Sequence, residues 1–430
     1  MNTRRDFLKR CGLAGLGFSV PMSTRMLLGD QTEEELPAYN GPYYVVFNAS
    51  GGWDTTYMMD PKGSNRINRL YTKNEILTEG SHRFAPIGKH IEAGMSNETF
   101  YARYGKELLT VNGLDYSVNN HSPCSRYMAT GKLDSQAYPT FAAMVAACRG
   151  PECPIAFLTF GNYSGTGNLV PMSRVPYLRS LSSLANADGV NGVAKSPYHD
   201  DFVSDRIEQA LKSQFKARDK AIRLPRRQRA QSMLYTAQHN SKALRRVAPF
   251  ISEVRAEGRL PQQAEIALAA FKAGVGVSAN LSIGQFDSHA NNDRDQMRLI
   301  PEFLSGIDTL LRRAEDLQIR EKLVVVIQSE MGRKPFYNKG NGKDHWSIGS
   351  IMFLGAGIKG NRVIGATDEK QFLVPVDSRT LGLDKETGIR IRPEHIHTAL
   401  RELAGIEDHP ASTQFPLDVP DDARLSQLWG

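Results

Sequence analysis

Short apolar runs recur along the chain: YYVVF at Tyr43–Phe47, LLTV at Leu108–Val111, IAFLTF at Ile155–Phe160, KLVVVIQ at Lys322–Gln328 and SIMFLG at Ser350–Gly355. They are continuous rather than alternating, the pattern of strands buried on both faces of a parallel sheet. Helical patterns lie between them. TFAAMVAAC, Thr140–Cys148, opens with a Thr cap directly after Pro139. In Arg298–Ala314 the apolar residues fall at 300, 303, 304, 307, 310, 311 and 314, the spacing of one helix face. That helix has to place Pro301 near its first turn. Strands alternating with helices predict an α/β fold built in layers. The alternation breaks off over about 161–262, first in a Gly/Ser/Asn/Pro-rich stretch and then in a basic, helical one. This segment is expected to be an insertion or cap on a single domain spanning 37–430. No internal repeat is visible.

A hydrophobic fraction of 40% and a charged fraction of 23% describe an ordinary globular chain and exclude a disordered one. The net charge of +7 is unevenly placed. Residues 201–260 hold 14 Lys/Arg against 6 Asp/Glu, a local surplus larger than that of the whole chain. Such a run is either a set of solvated helix faces or a rim that attracts phosphate, sulfate or an anionic polymer. No nucleic-acid motif accompanies it, and no nucleic-acid partner is expected.

The N-terminus changes the picture more. TRRDFLKRCGLAGLGFSVPM, Thr3–Met22, pairs Arg4 and Arg5 ahead of an apolar run too short and too Gly-rich to span a bilayer. This is the form of a twin-arginine export signal, which is read by a translocase that carries folded proteins. Residues 1–36 are therefore expected to be signal and short linker, and the mature chain to be periplasmic or secreted, without a membrane-spanning segment. An oxidising space permits a disulfide between Cys148 and Cys153, with Cys124 left over and Cys11 in the signal.

In open α/β sheets ligands collect at the carboxyl ends of strands. After YYVVFNASGG come Trp53 and Asp54; after the strand-like VGVSANLSIGQ come Asp287 and His289, in FDSHAN. VVVIQ ends in Ser329 and Glu330, in SEMGR, and Asp344 and His345 stand just before SIMFLG, in GKDHWSIGS. Three carboxylates (Asp54, Asp287, Glu330) and two imidazoles (His289, His345) are hard and borderline ligands, suited to Zn²⁺, Mn²⁺, Mg²⁺ or Ca²⁺. Each alone is a common loop residue; their joint placement at four strand ends makes a candidate site.

The order of these pieces resembles the alkaline phosphatase superfamily, which includes sulfatases. Within it, the chain most resembles the twin-arginine-exported bacterial family of domain of unknown function 1501. The likeness rests on Asp54, on His121 to Gly131, on Asp287 and His289, on Ser329 to Arg333, and on Asp344 and His345. It implies a three-layer αβα sandwich with a mostly parallel central sheet and a helical insertion. It also implies two divalent metal ions. One would be held by Asp287, His289 and His345, the other by Asp54, Glu330 and a nucleophile near residue 121. The implied chemistry is in-line displacement at phosphorus or sulfur. The chain departs from the phosphatase pattern in having Met331 after Glu330, and one residue rather than three between Asp287 and His289.

The stretch NNHSPCSRYMATG, Asn119–Gly131, decides whether a nucleophile is present. Aligned on Pro123 and Thr130-Gly131, the sulfatase nucleophile position falls on His121, and Arg126 lies one residue beyond the sulfatase Arg. A formylglycine cannot be made from His. A shift of one residue brings in Ser122, either as a metal-activated nucleophile or as a helix N-cap. His121 is alternatively a metal ligand replacing the one lost at Met331. The expected function is hydrolysis of an anionic phosphate or sulfate ester. The alternative is a catalytically inactive protein that binds an anionic glycan or surface polymer.

Overall fold

A computed structural model of the chain describes residues 38–175, 198–222, 240–251 and 257–430, with isolated positions between 177 and 234. The signal readings at Arg4, Arg5 and Cys11 lie outside the described residues, as does part of 161–262.

An eight-stranded sheet forms the centre. In chain order its strands are β1 (Tyr43–Ala49), β2 (Leu109–Asp115), β3 (Phe157–Thr159), β4 (Met172–Ser173), β5 (Ser278–Ile283), β6 (Leu323–Gln328), β7 (Ile348–Gly355) and β8 (Arg362–Ile364). Across the sheet they run β8-β2-β7-β6-β1-β5-β3-β4. Strands β1, β5 and β6 are buried along their whole length, as continuous apolar runs require.

Alternate residues of β1 feed two separate cores. Tyr43, Val45, Phe47 and Ala49 pack on one side, with helices α5 (Arg259–Lys272) and α6 (Asn292–Asp316). Tyr44 and Val46 pack on the other, with α3 (Phe141–Arg149) and α7 (Pro393–Leu403). Helix, sheet and helix make a three-layer sandwich. Two further helices, α1 (Asn97–Tyr104) and α2 (His121–Thr130), flank β2 in sequence, and α4 (Asp201–Ala221) carries part of the basic segment. No helix among the described residues is long and apolar enough to cross a membrane.

Three expectations are corrected. SIMFLG is not a parallel strand: β7 runs antiparallel to both β2 and β6. This is why Asp344 and His345 can precede a strand while the other candidates follow one, since the amino end of β7 lies at the carboxyl edge of its neighbours. Pro301 sits well inside α6 rather than in its first turn. The helix starts at Asn292, where polar residues hid it from an apolar-face reading. Cys148 and Cys153 are free thiols. Cys153 Sγ faces the Gly274 carbonyl at 3.9 Å, and burial pushes both thiols up to about 12, which suppresses the thiolates that disulfide formation needs. The Thr140 cap is as expected, its side chain accepting from Ala143 N.

Candidate metal centre

The Gly51-Gly52 turn after β1 lets the site close up. At φ +120, a Cβ on Gly51 would lie 2.5 Å from Asp287 N; at φ +92, one on Gly52 would lie 2.8 Å from the Met331 side chain. Only glycine fits such positions. The stretch after β5 therefore lies against the turn after β1, with Phe286 N donating to Ser50 O at 3.2 Å. A short antiparallel ribbon pairs Arg333 with His345 and Gly332 with Trp346, delivering both functional side chains from the far side.

Asp287 is the hub. Its Oδ1 lies 3.1 Å from His289 Nε2 and 3.3 Å from His345 Nε2, and Oδ2 lies 3.2 Å from His121 Nε2. His289 Nε2 and His345 Nε2 stand 3.0 Å apart. His121, Asp287 and His345 offer ligand atoms all within 4.8 Å of one another. His345 Nδ1 is 2.9 Å from the Asn119 carbonyl, which can only accept, so Nδ1 carries the proton. His289 Nδ1 is 3.1 Å from Asp344 Oδ1, whose acid strength that hydrogen bond raises, and so is protonated likewise. With Nδ1 engaged in this way, the Nε2 atoms of the two rings face each other, and both face a carboxylate oxygen. Three acceptors converging at 3.0–3.3 Å have the edge lengths of a coordination shell about 2.0–2.1 Å in radius. The outer partners, Asn119 O and Asp344, are of the kind that orient metal-binding imidazoles.

Two buried atoms at the site lack hydrogen-bond partners: His121 Nε2 and Glu330 Oε2. His121 Nε2 is near Asp287 but not aligned with it for a hydrogen bond. His121 Nδ1 and Glu330 Oε1 are 3.1 Å apart, and Oε1 also accepts from Gly51 N at 2.7 Å. The Glu330 bond raises the His121 pKa, whereas burial lowers that of His345. For Asp287, burial acts to raise the pKa, but the hydrogen bond and charge of Arg333 outweigh it and the value is lowered.

The structure brings together His121, Asp287, His289, Glu330 and His345, but not Asp54. Asp54 is wholly buried and spends its oxygens on Thr56, Asn292 and Lys343. Ser122 is exposed on the first turn of α2, and its hydroxyl makes no hydrogen bond among the described residues. The N-cap of α2 is Asn120 rather than Ser122, without a side-chain cap bond. Arg126 turns away from the cluster and donates to the Leu133 carbonyl through Nε at 3.1 Å and an Nη at 2.6 Å. Cys124 is buried, its thiol pushed up to about 12 by burial.

Arg333 and Lys343 were missed as site residues. Arg333, fully buried, donates to Asp287 Oδ1 at 2.7 Å, to Gly52 O at 2.8 Å, to Lys343 O at 3.1 Å and to Gly51 O. Its place in SEMGR was the available signal. Nothing local distinguished Lys343 from other loop lysines.

A three-layer αβα sandwich carries this histidine–carboxylate cluster at the carboxyl edge of its sheet, the edge where open α/β sheets collect ligands. The chain belongs to the family described as Protein of unknown function (DUF1501), matched over residues 44–381. No curated protein matches it. Among solved structures it is distantly similar to the PsFucS1 sulfatase from Pseudoalteromonas sp., at 11% identity over 91% of this chain and 72% of that one, TM-score 0.39. It is also similar to a TAB5 alkaline phosphatase mutant with Mg bound, at 11% identity over 86% of this chain and 99% of that one, TM-score 0.37.

Proposed function

We propose that the chain is an exported, metal-dependent hydrolase of an anionic ester, phosphate or sulfate. One observation carries the reading: two imidazole lone pairs and a carboxylate oxygen converge at 3.0–3.3 Å with their outer nitrogens already engaged. Such an arrangement favours a cation at its centre. Asp287, His289 and His345 would hold it, with His121 and Glu330 beside them, and the unpartnered His121 Nε2 and Glu330 Oε2 fit that assignment. A divalent cation there supplies electrophilic polarisation of the ester and acidifies the attacking oxygen.

The chain's own residues do the rest. Arg333 fixes Asp287, so the carboxylate is oriented before substrate arrives. His121 stands at the mouth of the cluster, where its bond to Glu330 raises its pKa. No hydroxyl among the described residues is hydrogen-bonded to the cluster, so the attacking oxygen is assigned to water and Ser122 to the rim. The segment about 161–262 is proposed as an insertion that shapes access, its basic surplus attracting anionic substrates. Export is proposed to follow the Arg4–Arg5 signal; changing both to Lys should keep the protein in the cytoplasm.

The test is a panel of phosphate and sulfate monoesters and diesters offered to the full chain with Zn²⁺, Mn²⁺, Mg²⁺ or Ca²⁺. Hydrolysis abolished by chelation and restored by one of these ions is expected. The exposed, unbonded Ser122 favours a second reading, an anion-binding protein without catalysis. Retained metal and glycan binding with no turnover on any ester would select it.

A further inference from the structure

We infer that the chain binds one divalent cation and not two, because the Lys343 ammonium occupies the place beside Asp54 that a second cation would take. The inference rests on the metal-dependent reading above and narrows it. A carboxylate offers about four lone-pair sites. Those of Asp54 are met by Thr56 N at 3.1 Å, Thr56 Oγ1 at 2.6 Å, Asn292 Nδ2 at 2.9 Å and Lys343 Nζ at 2.6 Å. Both charged side chains are fully buried. The Lys343 Nζ lies 5.5 Å from the centre of the Tyr57 ring and 5.1 Å from that of Tyr337, within cation–π range of both.

Lys343 is also fixed through its main chain. Its N donates to Ser288 O at 3.0 Å and its O accepts from Arg333 Nη1 at 3.1 Å. A divalent ion on Asp54 would face this ammonium across one carboxylate in a closed, poorly screened pocket, where like charges repel strongly. The unmet atoms of the histidine cluster, His121 Nε2 and Glu330 Oε2, lie elsewhere, on two side chains bonded to each other, and Asp54 itself has no unmet oxygen. The residues near Asp54 therefore do not fit a second metal, and the implied two-metal centre reduces to one metal and one lysine.

The experiment uses the full chain saturated with Zn²⁺ and freed of excess by gel filtration. Elemental analysis should give one zinc per chain, both in the wild type and in Asp54→Asn/Lys343→Met, where the two buried charges disappear together. In parallel, the native protein is acetylated with and without zinc and mapped by mass spectrometry. Lys343 should stay unmodified in both samples while exposed lysines react. Two zinc ions in the wild type, falling to one in the double variant, would overturn the inference. Acetylation of Lys343 only when zinc is added would do the same, since it would show the ion expelling the lysine. No zinc in the wild type removes the metal-dependent reading itself and this inference with it. If the double variant fails to fold, the wild-type stoichiometry and the acetylation map decide.

Discussion

Asp54 and Asp287 both follow strands of the central sheet at its carboxyl edge, and their surroundings differ completely. Asp54 is 0% exposed, balanced by one buried ammonium and saturated with donors. The Asp287 side chain is 42% exposed and shares its oxygens among Arg333 and three imidazoles. A carboxylate whose acceptor sites are filled by protein donors holds a fold together. One met by a single guanidinium and flanked by three imidazoles keeps acceptor capacity open to solvent. The same residue type at equivalent places in the topology is thus closed off by protein donors in one case and left open beside three imidazoles in the other.

The sharpest way to break this contrast is Lys343→Met. It strands a buried carboxylate and should cost about 3–5 kcal/mol of stability, while zinc stays at the histidine cluster. Denaturant unfolding and elemental analysis on the same sample check both halves. A variant that keeps wild-type stability would mean that Asp54 does not depend on the lysine.

Asp287→Ala should do the reverse. The stability cost is smaller, about 1–3 kcal/mol for removing the one carboxylate among Arg333's acceptors, because the Asp287 side chain is open to water. Zinc affinity should fall by at least the roughly 10–100-fold that follows loss of an outer-shell partner. Competition with a chromogenic chelator measures it; unchanged affinity would place the metal elsewhere.

Without metal, the two kinds of histidine should separate by pH. His121 has a raised pKa, so its contribution to stability is complete below the ordinary value of 6.5 and is lost as pH rises through the higher folded value. His345 has a lowered pKa, so its contribution is present above 6.5 and is lost as pH falls through its lower folded value. Thermal melts of metal-free protein should show His121→Gln flattening the decline on the alkaline side alone. A change confined to the acid side would reverse the assignment.

The smallest effect is expected from Ser122→Ala: stability within about 0.5 kcal/mol of wild type, as for an exposed, uncapped surface position, and unaltered turnover. A fall of several orders of magnitude would make Ser122 the covalent nucleophile.

Several features were legible in sequence because they depend on local pattern. Continuous apolar runs gave β1, β6 and the body of β7, the helical period gave the buried face of α6, and strand-end motifs gave Asp287, His289, Glu330 and His345. Burial and periodicity are written along the chain itself. What tertiary structure decided was which groups meet. The antiparallel course of β7 follows from its pairing with β2 and β6, and that direction alone brings His345 to the edge occupied by Asp287. Lys343 reaches Asp54 across 289 residues of sequence, and Arg333 reaches Asp287 across 46. A carboxylate's role is set by the donors and acceptors that surround it in space. Asp54 and Asp287 look alike in the sequence, and only the folded chain separates them.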